Sequence, residues 1–176
     1  MTKTTHQETR QKIEIDFLFV DLDVCPRCKG TDVNLETALQ TVRSVLESAG
    51  AQVTVRKILV DTENKARELG FVSSPTIRVN GRDLALELRE SSCASCSEAC
   101  GCEGSIDCRV WLYRGKEHTV APVPMIVDAI LAAVYGAKED VPMPPRAEVI
   151  PENLKRFFAA KAMKANSSCC SAKEQA

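Results

Sequence analysis

The sequence predicts a mixed α/β domain with the element order βαβαββα. Three observations carry this. Ile13 to Val20, IEIDFLFV, reads as a strand, an amphipathic helix follows, and Val53 to Val60 reads as a second strand. A strand–helix–strand unit implies a parallel pair joined by a right-handed crossover. Asn80-Gly81, after the short run Thr76 to Val79, is a strong two-residue hairpin signal, because both residues accept positive φ. The hairpin adds an antiparallel edge and makes the sheet mixed.

Each element has its own signature. In the first strand Ile13, Ile15 and Phe17 alternate with acids before the run becomes apolar on both faces. It leads through Asp21 to Val24 into Cys25-Pro26-Arg27-Cys28. In the long helix Leu35, Ala38, Leu39, Val42, Val45, Leu46 and Ala49 share one face, with Thr31 or Asp32 as N-cap and Gly50 just past the end. Asp61 or Thr62 caps a short helix through Leu69, closed by Gly70. Ser74-Pro75 opens the hairpin, and Leu84, Leu86 and Leu88 alternate on its returning strand. Val110 to Tyr113 is a further strand, turned back at Gly115-Lys116 towards Thr119 and Val120. Pro124 opens a helix whose Met125, Ile126, Ala129, Ile130, Ala133 and Val134 form one stripe, ended by Gly136.

The chain thus divides into a polar N-terminus over 1–12, expected to be disordered, a domain over 13–136 with a cysteine-rich insert at 91–108, and an extension over 137–176. The extension holds a proline-rich linker, a helix from Glu152 to Lys164 anchored by Leu154, Phe157 and Phe158, and a flexible polar tail. Trp111 and Tyr113 read as packing residues, and His118 as a surface or satisfied core histidine.

A net charge of −1 and 5% aromatics provide neither the basic footprint nor the stacking platform of nucleic-acid binding. No segment approaches the roughly 18 apolar residues of a membrane span, and the N-terminus lacks the apolar run of a signal peptide. The expected location is cytoplasmic. Nine cysteines in a reducing compartment point to redox chemistry or metal binding, and an odd number cannot all pair within one chain.

Cys25 and Cys28 stand between a strand and a helix. There the helix N-terminus, with its unpaired N–H groups and dipole, favours the thiolate that attacks disulfides, and Arg27 can add a positive charge. The same spacing also serves as half of a zinc site. Two adjacent thiolates bind soft ions such as Hg(II), As(III), Cu(I) or Zn(II).

The combination of Cys25-Pro26-Arg27-Cys28, Ser74-Pro75-Thr76 and Asn80-Gly81 resembles the thioredoxin superfamily, in the style of glutaredoxins, over residues 13 to 136. The phrases VSSPTIRVNGRDL and DCRVWLYRGKEHT resemble a prokaryotic thioredoxin-like family with a domain of unknown function, which supplies no activity. The superfamily resemblance implies a thioredoxin-like fold, an exposed nucleophile at Cys25, a buried resolving thiol at Cys28 and a cis-proline at Pro75. It implies thiol or disulfide client proteins or a reductase as partners, and no required cofactor. The sequence departs from the pattern in three places: the cysteine-rich insert, Gly30-Thr31-Asp32 where the helix should already run, and the lack of Tyr or Phe between the two cysteines, which argues against typical glutathione handling.

The insert reads Cys93-x2-Cys96-x3-Cys100-x-Cys102-x5-Cys108. Four thiolates in a short loop suit tetrahedral zinc. Cys93, Cys96, Cys100 and Cys108 are the favoured ligand set, with Cys102, Cys169 and Cys170 as accessory thiols; reversible disulfides are the competing reading. The vicinal Cys169-Cys170 pair could capture a soft metal or metalloid or pass electrons to Cys25. Two functions follow. The first is a thiol–disulfide oxidoreductase that forms a mixed disulfide at Cys25, resolved by Cys28. The alternative is a soft metal or metalloid binding protein of resistance or trafficking.

Overall fold

The computed structural model describes residues 11–85, 87–101, 105–136 and 148–170, with the backbone alone at 99 and 165–170. Strand β1 (Lys12–Phe19) lies between β2 (Gln52–Leu59) and β3 (Thr76–Val79), and the short β4 (Arg82–Asp83) lies outside β3, giving the order β2-β1-β3-β4. β1 runs parallel to β2 from the Lys12–Gln52 pair to the Phe19–Leu59 pair, and antiparallel to β3. Helix α1 (Pro26–Ser48) makes the crossover, and α2 (Glu63–Glu68) follows β2. A second, antiparallel sheet holds β5 (Arg89–Ser92), β6 (Asp107–Tyr113) and β7 (Lys116–His118), with α3 (Ala94–Cys100) inserted between β5 and β6. Helices α4 (Val123–Tyr135) and α5 (Glu152–Cys170) complete a mixed α/β architecture.

The hydrophobic pattern explains the layers. Ile13, Ile15 and Phe17 are fully buried between solvent-facing Glu14 and half-buried Asp16, and Leu18, Phe19 and Val20 are buried on both faces. α1 buries Leu35, Ala38, Val42 and Leu46, and α4 buries Met125, Ile126, Ile130 and Val134. These two helices pack on each other, with α4 also against β1 and β3. The turn residues behave as the hairpin signal requires: φ is 50° at Asn80 and 80° at Gly81. The Ser74–Pro75 bond is cis.

Three expectations are corrected. α1 starts at Pro26 with Cys25 as its N-cap, not at Thr31 or Asp32. Those residues lie inside the helix: Thr31 is buried, and its hydroxyl accepts from the Ala121 N–H at 3.3 Å, while Asp32 pairs with Lys57 at 2.7 Å. Gly30 is tolerated mid-helix because a β-carbon there would sit 2.8 Å from a Val120 methyl. The strand returning from the hairpin stops at Asp83, so Leu84 and Leu88 are not part of it, and position 86 lies outside the described residues. The cause is the Asp83 carboxylate, which takes two bonds from Arg109, both 3.0 Å, and one from the Ala85 N–H at 2.9 Å, turning the chain off the sheet. Finally, α5 continues past Lys164 to Cys170. The N-terminus expected to be disordered over 1–12 is ordered at its end, where Lys12 begins β1 and the Gln11 amide donates to the Ala133 carbonyl at 2.7 Å; residues 1–10, the last six residues and most of the proline-rich linker fall outside the described residues.

α5 is tied to the body. Leu154, Phe157 and Phe158 are buried, and Asn153 exchanges two hydrogen bonds with the Asp107 backbone, at 3.0 and 2.7 Å. Lys161 reaches Asp21 at 2.8 Å. Among the described residues no helix is long and apolar enough to cross a membrane.

Arg109 is 2% exposed, stacked 5.3 Å above the Trp111 ring, and depends on Asp83 for its charge balance. Removing one partner of a buried pair strands the other charge and costs about 3–5 kcal/mol. Asp83 is itself partly exposed, so Asp83→Ala should destabilise by about 3 kcal/mol in denaturant unfolding. A loss below about 1 kcal/mol, the range of surface pairs, would show that the pair is solvated.

Candidate metal centre

Two Cys-x-x-Cys motifs begin helices in the same way. Cys25 is the N-cap of α1 and Cys93 the N-cap of α3, both with extended backbone and neither with a side-chain cap bond. Cys28 and Cys96 therefore occupy the third position of their helices, one turn in. Cys108 comes from the interior of β6. All five sulfurs are buried, Cys25 and Cys28 completely.

Four of them converge. The Sγ atoms of Cys25, Cys93, Cys96 and Cys108 all lie within 4.8 Å of one another, and those of Cys96 and Cys108 are 3.4 Å apart. A tetrahedral ion with metal–sulfur bonds near 2.3 Å needs sulfur–sulfur separations of about 3.8 Å. The cluster meets that requirement with small side-chain adjustments. These four buried cysteines are close enough to bind one metal ion.

The ligand set differs from the sequence expectation at one position. Cys93, Cys96 and Cys108 are present, but Cys25 stands where Cys100 was expected. Cys100 is held in a disulfide, and as the last residue of α3 it lies one helical turn beyond Cys96. Cys102 lies outside the described residues, and of Cys169 and Cys170 only the helical backbone is described. The cage could have been sought in the sequence from the second Cys-x-x-Cys, since paired motifs of this kind are a familiar zinc pattern. The distance of 65 residues from Cys28 to Cys93 hid the relation, and only folding brings the two helix starts together.

The fifth thiol faces elsewhere. The Cys28 sulfur sits 3.4 Å from the Ser74 hydroxyl, which also accepts from the Val20 N–H at 3.2 Å. Cys28 thus rests beside Pro75 while touching Cys25, and stays outside the cage. Cys25 is not the exposed nucleophile that the resemblance implied, because Cys108, Cys96 and the insert cover it.

Packing several thiols together separates their acidities. Sulfur contacts from Cys108, Cys28 and Cys96 hold the Cys25 thiol far below its ordinary range, against the opposing effect of burial. The contact with Cys25, followed by burial, raises Cys28. Cys108 rises through its contacts with Cys25 and Cys96. Cys96 is lowered by Cys108, but Cys25 and burial outweigh this, and it rises on balance. Cys25, the lowered thiol, also stands at the N-terminus of a 23-residue helix, whose dipole favours a thiolate.

Arg27 fixes the geometry. Its guanidinium donates to the carbonyls of Ser92 at 2.6 Å, Cys108 at 3.0 Å and Ser91 at 3.2 Å. The expected role of a charge beside Cys25 is replaced by this bridge, which joins the first turn of α1 to β5 and β6. The insert closes with its own bonds: Cys93 N–H to the Ile106 carbonyl at 2.8 Å, and Ile106 N–H to the Ser97 hydroxyl at 2.8 Å. The Arg109 N–H donates to the Ser74 carbonyl at 2.8 Å, which holds β6 against the Pro75 loop.

A family model described as "Domain of unknown function (DUF2703)" matches residues 12–130. The chain belongs to the DUF2703 family. The matched segment includes Pro75, Arg27, Cys28 and all four cage cysteines, while α5 lies beyond it. No curated protein and no solved structure matches the chain.

Groups that orient metal ligands typically contribute 10- to 100-fold to affinity. Arg27→Ala should accordingly weaken zinc affinity by about 10- to 100-fold in competition with a chromogenic chelator. Unchanged affinity would show that the insert finds its place without this bridge.

Proposed function

We propose that the protein binds one thiophilic cation, zinc foremost, in a closed cage formed by Cys25, Cys93, Cys96 and Cys108. The observation that carries this reading is the convergence of four buried sulfurs from three separate elements within 4.8 Å. Buried thiols gain nothing by crowding together, since each additional thiolate repels the others, and a divalent cation removes that repulsion. A four-sulfur set fits tetrahedral Zn(II) better than the two- or three-sulfur sets that suit Hg(II), Cu(I) and As(III). With four protein ligands and no open position, the ion is held rather than offered to a substrate, as in structural sites and unlike catalytic ones. Metal binding thus takes precedence over the oxidoreductase reading.

The oxidoreductase reading keeps one specific support. Cys25 and Cys28 begin α1 directly after β1, and Cys28 lies against the loop of the cis Ser74–Pro75 bond. Together with the β1–α1–β2 crossover and the β3–β4 hairpin, this favours a thioredoxin-like domain whose dithiol has been partly enlisted as a ligand set. Client proteins or a reductase would be its partners.

Titration of anaerobically reduced protein with Co(II), followed by Zn(II), distinguishes the two. The expected result is one ion per chain with the absorption of tetrahedral thiolate cobalt, displaced by zinc. Cys25→Ser and Cys108→Ser should each lower affinity by at least tenfold, and Cys28→Ser should leave it unchanged. Loss of binding in Cys28→Ser, with retention in Cys108→Ser, would place the ion on the dithiol instead.

A further inference from the structure

Cys28 touches a cage ligand, Cys25, while itself standing outside the cage. It is fully buried and shares a helical turn with Cys25. The other three neighbours of Cys25 would be engaged by the ion. Resting on the cage reading above, we propose a further activity: Cys25 and Cys28 together reduce a small hydroperoxide, and the resulting disulfide withdraws Cys25 from the cage and releases the metal.

The steps balance. The Cys25 thiolate attacks one oxygen of hydrogen peroxide; a sulfur–oxygen bond forms, the oxygen–oxygen bond breaks, and hydroxide leaves. Cys25 is then a sulfenic acid. Cys28 sulfur attacks the Cys25 sulfur, its proton leaves with the departing hydroxyl as water, and the Cys25–Cys28 disulfide forms. Two electrons have passed from the two sulfurs to the peroxide oxygens. The ion keeps its oxidation state and retains three thiolate ligands, a set that a competing chelator can strip. A dithiol reductant reverses the change by reducing the disulfide and restoring the fourth ligand.

The choice of oxidant follows from access. Cys25 is 0% exposed, so a bulky disulfide substrate cannot reach its sulfur without opening the insert. Its flanking residues Val24 and Pro26 are exposed, so the chain meets the surface on either side of Cys25, and a molecule of two oxygens is the oxidant that has least to displace. The identity of the partner thiol follows from position. Cys96 and Cys108, though 3.4 Å apart, are both ligands, so a disulfide between them would cost the ion two bonds, whereas Cys28 costs it one.

The test uses full-length, zinc-loaded protein under anaerobic conditions, with a chromogenic chelator present and hydrogen peroxide added in small excess. Loading is measured first; a protein that takes up no zinc at this stage refutes the cage reading itself, before any peroxide is added. The expected result is zinc release that keeps pace with a Cys25–Cys28 disulfide seen by peptide mass spectrometry, and zinc uptake again after dithiothreitol and chelator removal. Cys28→Ala and Cys28→Ser, which load zinc as wild type does, should fail to recover after dithiothreitol by at least tenfold, with Cys25 carried on to sulfinic acid. A disulfide between cage cysteines that excludes Cys28, or full reversibility in both Cys28 variants, overturns the proposal.

Discussion

The structure depends most on the Arg27 guanidinium. One side chain, from the second position of α1, holds the carbonyls of Ser91, Ser92 and Cys108 at 2.6–3.2 Å. It ties the first turn of α1 to the β5–β6 pair, beside the sulfur contacts of Cys25 with Cys96 and Cys108. With it, the sulfur at the start of α1 has a fixed relation to the sulfur within β6. A planar fork suits this task, because its donors lie at set angles. Around this bridge the rest falls into place: Asn153 ties α5 to Asp107, Lys161 ties it to Asp21, and the Arg109 N–H ties β6 to Ser74.

Much of the fold was legible because it rests on local rules. The alternation in IEIDFLFV, the apolar stripe of α4 and the Asn80-Gly81 turn each specify their element within a few residues of chain. The misreadings arose where distant groups decide. Thr31 resembled an N-cap because hydroxyls prefer helix ends, yet it is satisfied by Ala121, some ninety residues later. The Leu84-x-Leu86-x-Leu88 alternation resembled a strand, and the Asp83–Arg109 pair turns that segment away.

The candidate site divides along the same line. The places of Cys25 and Cys28 between β1 and α1, and of Pro75 before β3, were legible because strand, helix and hairpin mark them. Three of the four cage cysteines were also legible, since Cys93, Cys96 and Cys108 lie within one insert. The fourth was not, because spacing along a chain cannot show that a residue assigned to one motif is spatially part of another. Cys100 was the natural choice by spacing, but helical geometry carries it a turn beyond the cluster. Cys25 therefore belongs to two constellations, the pair with Cys28 and the cage with the insert, and it cannot serve both at once. In the reading proposed above, that shared membership is what couples metal binding to thiol redox chemistry.

The most direct test of the cage is X-ray absorption at the zinc edge on loaded protein, which counts ligand atoms without reference to sequence. The account predicts a single shell of four sulfurs at about 2.3 Å. A shell holding nitrogen or oxygen, or only two sulfurs, would contradict it.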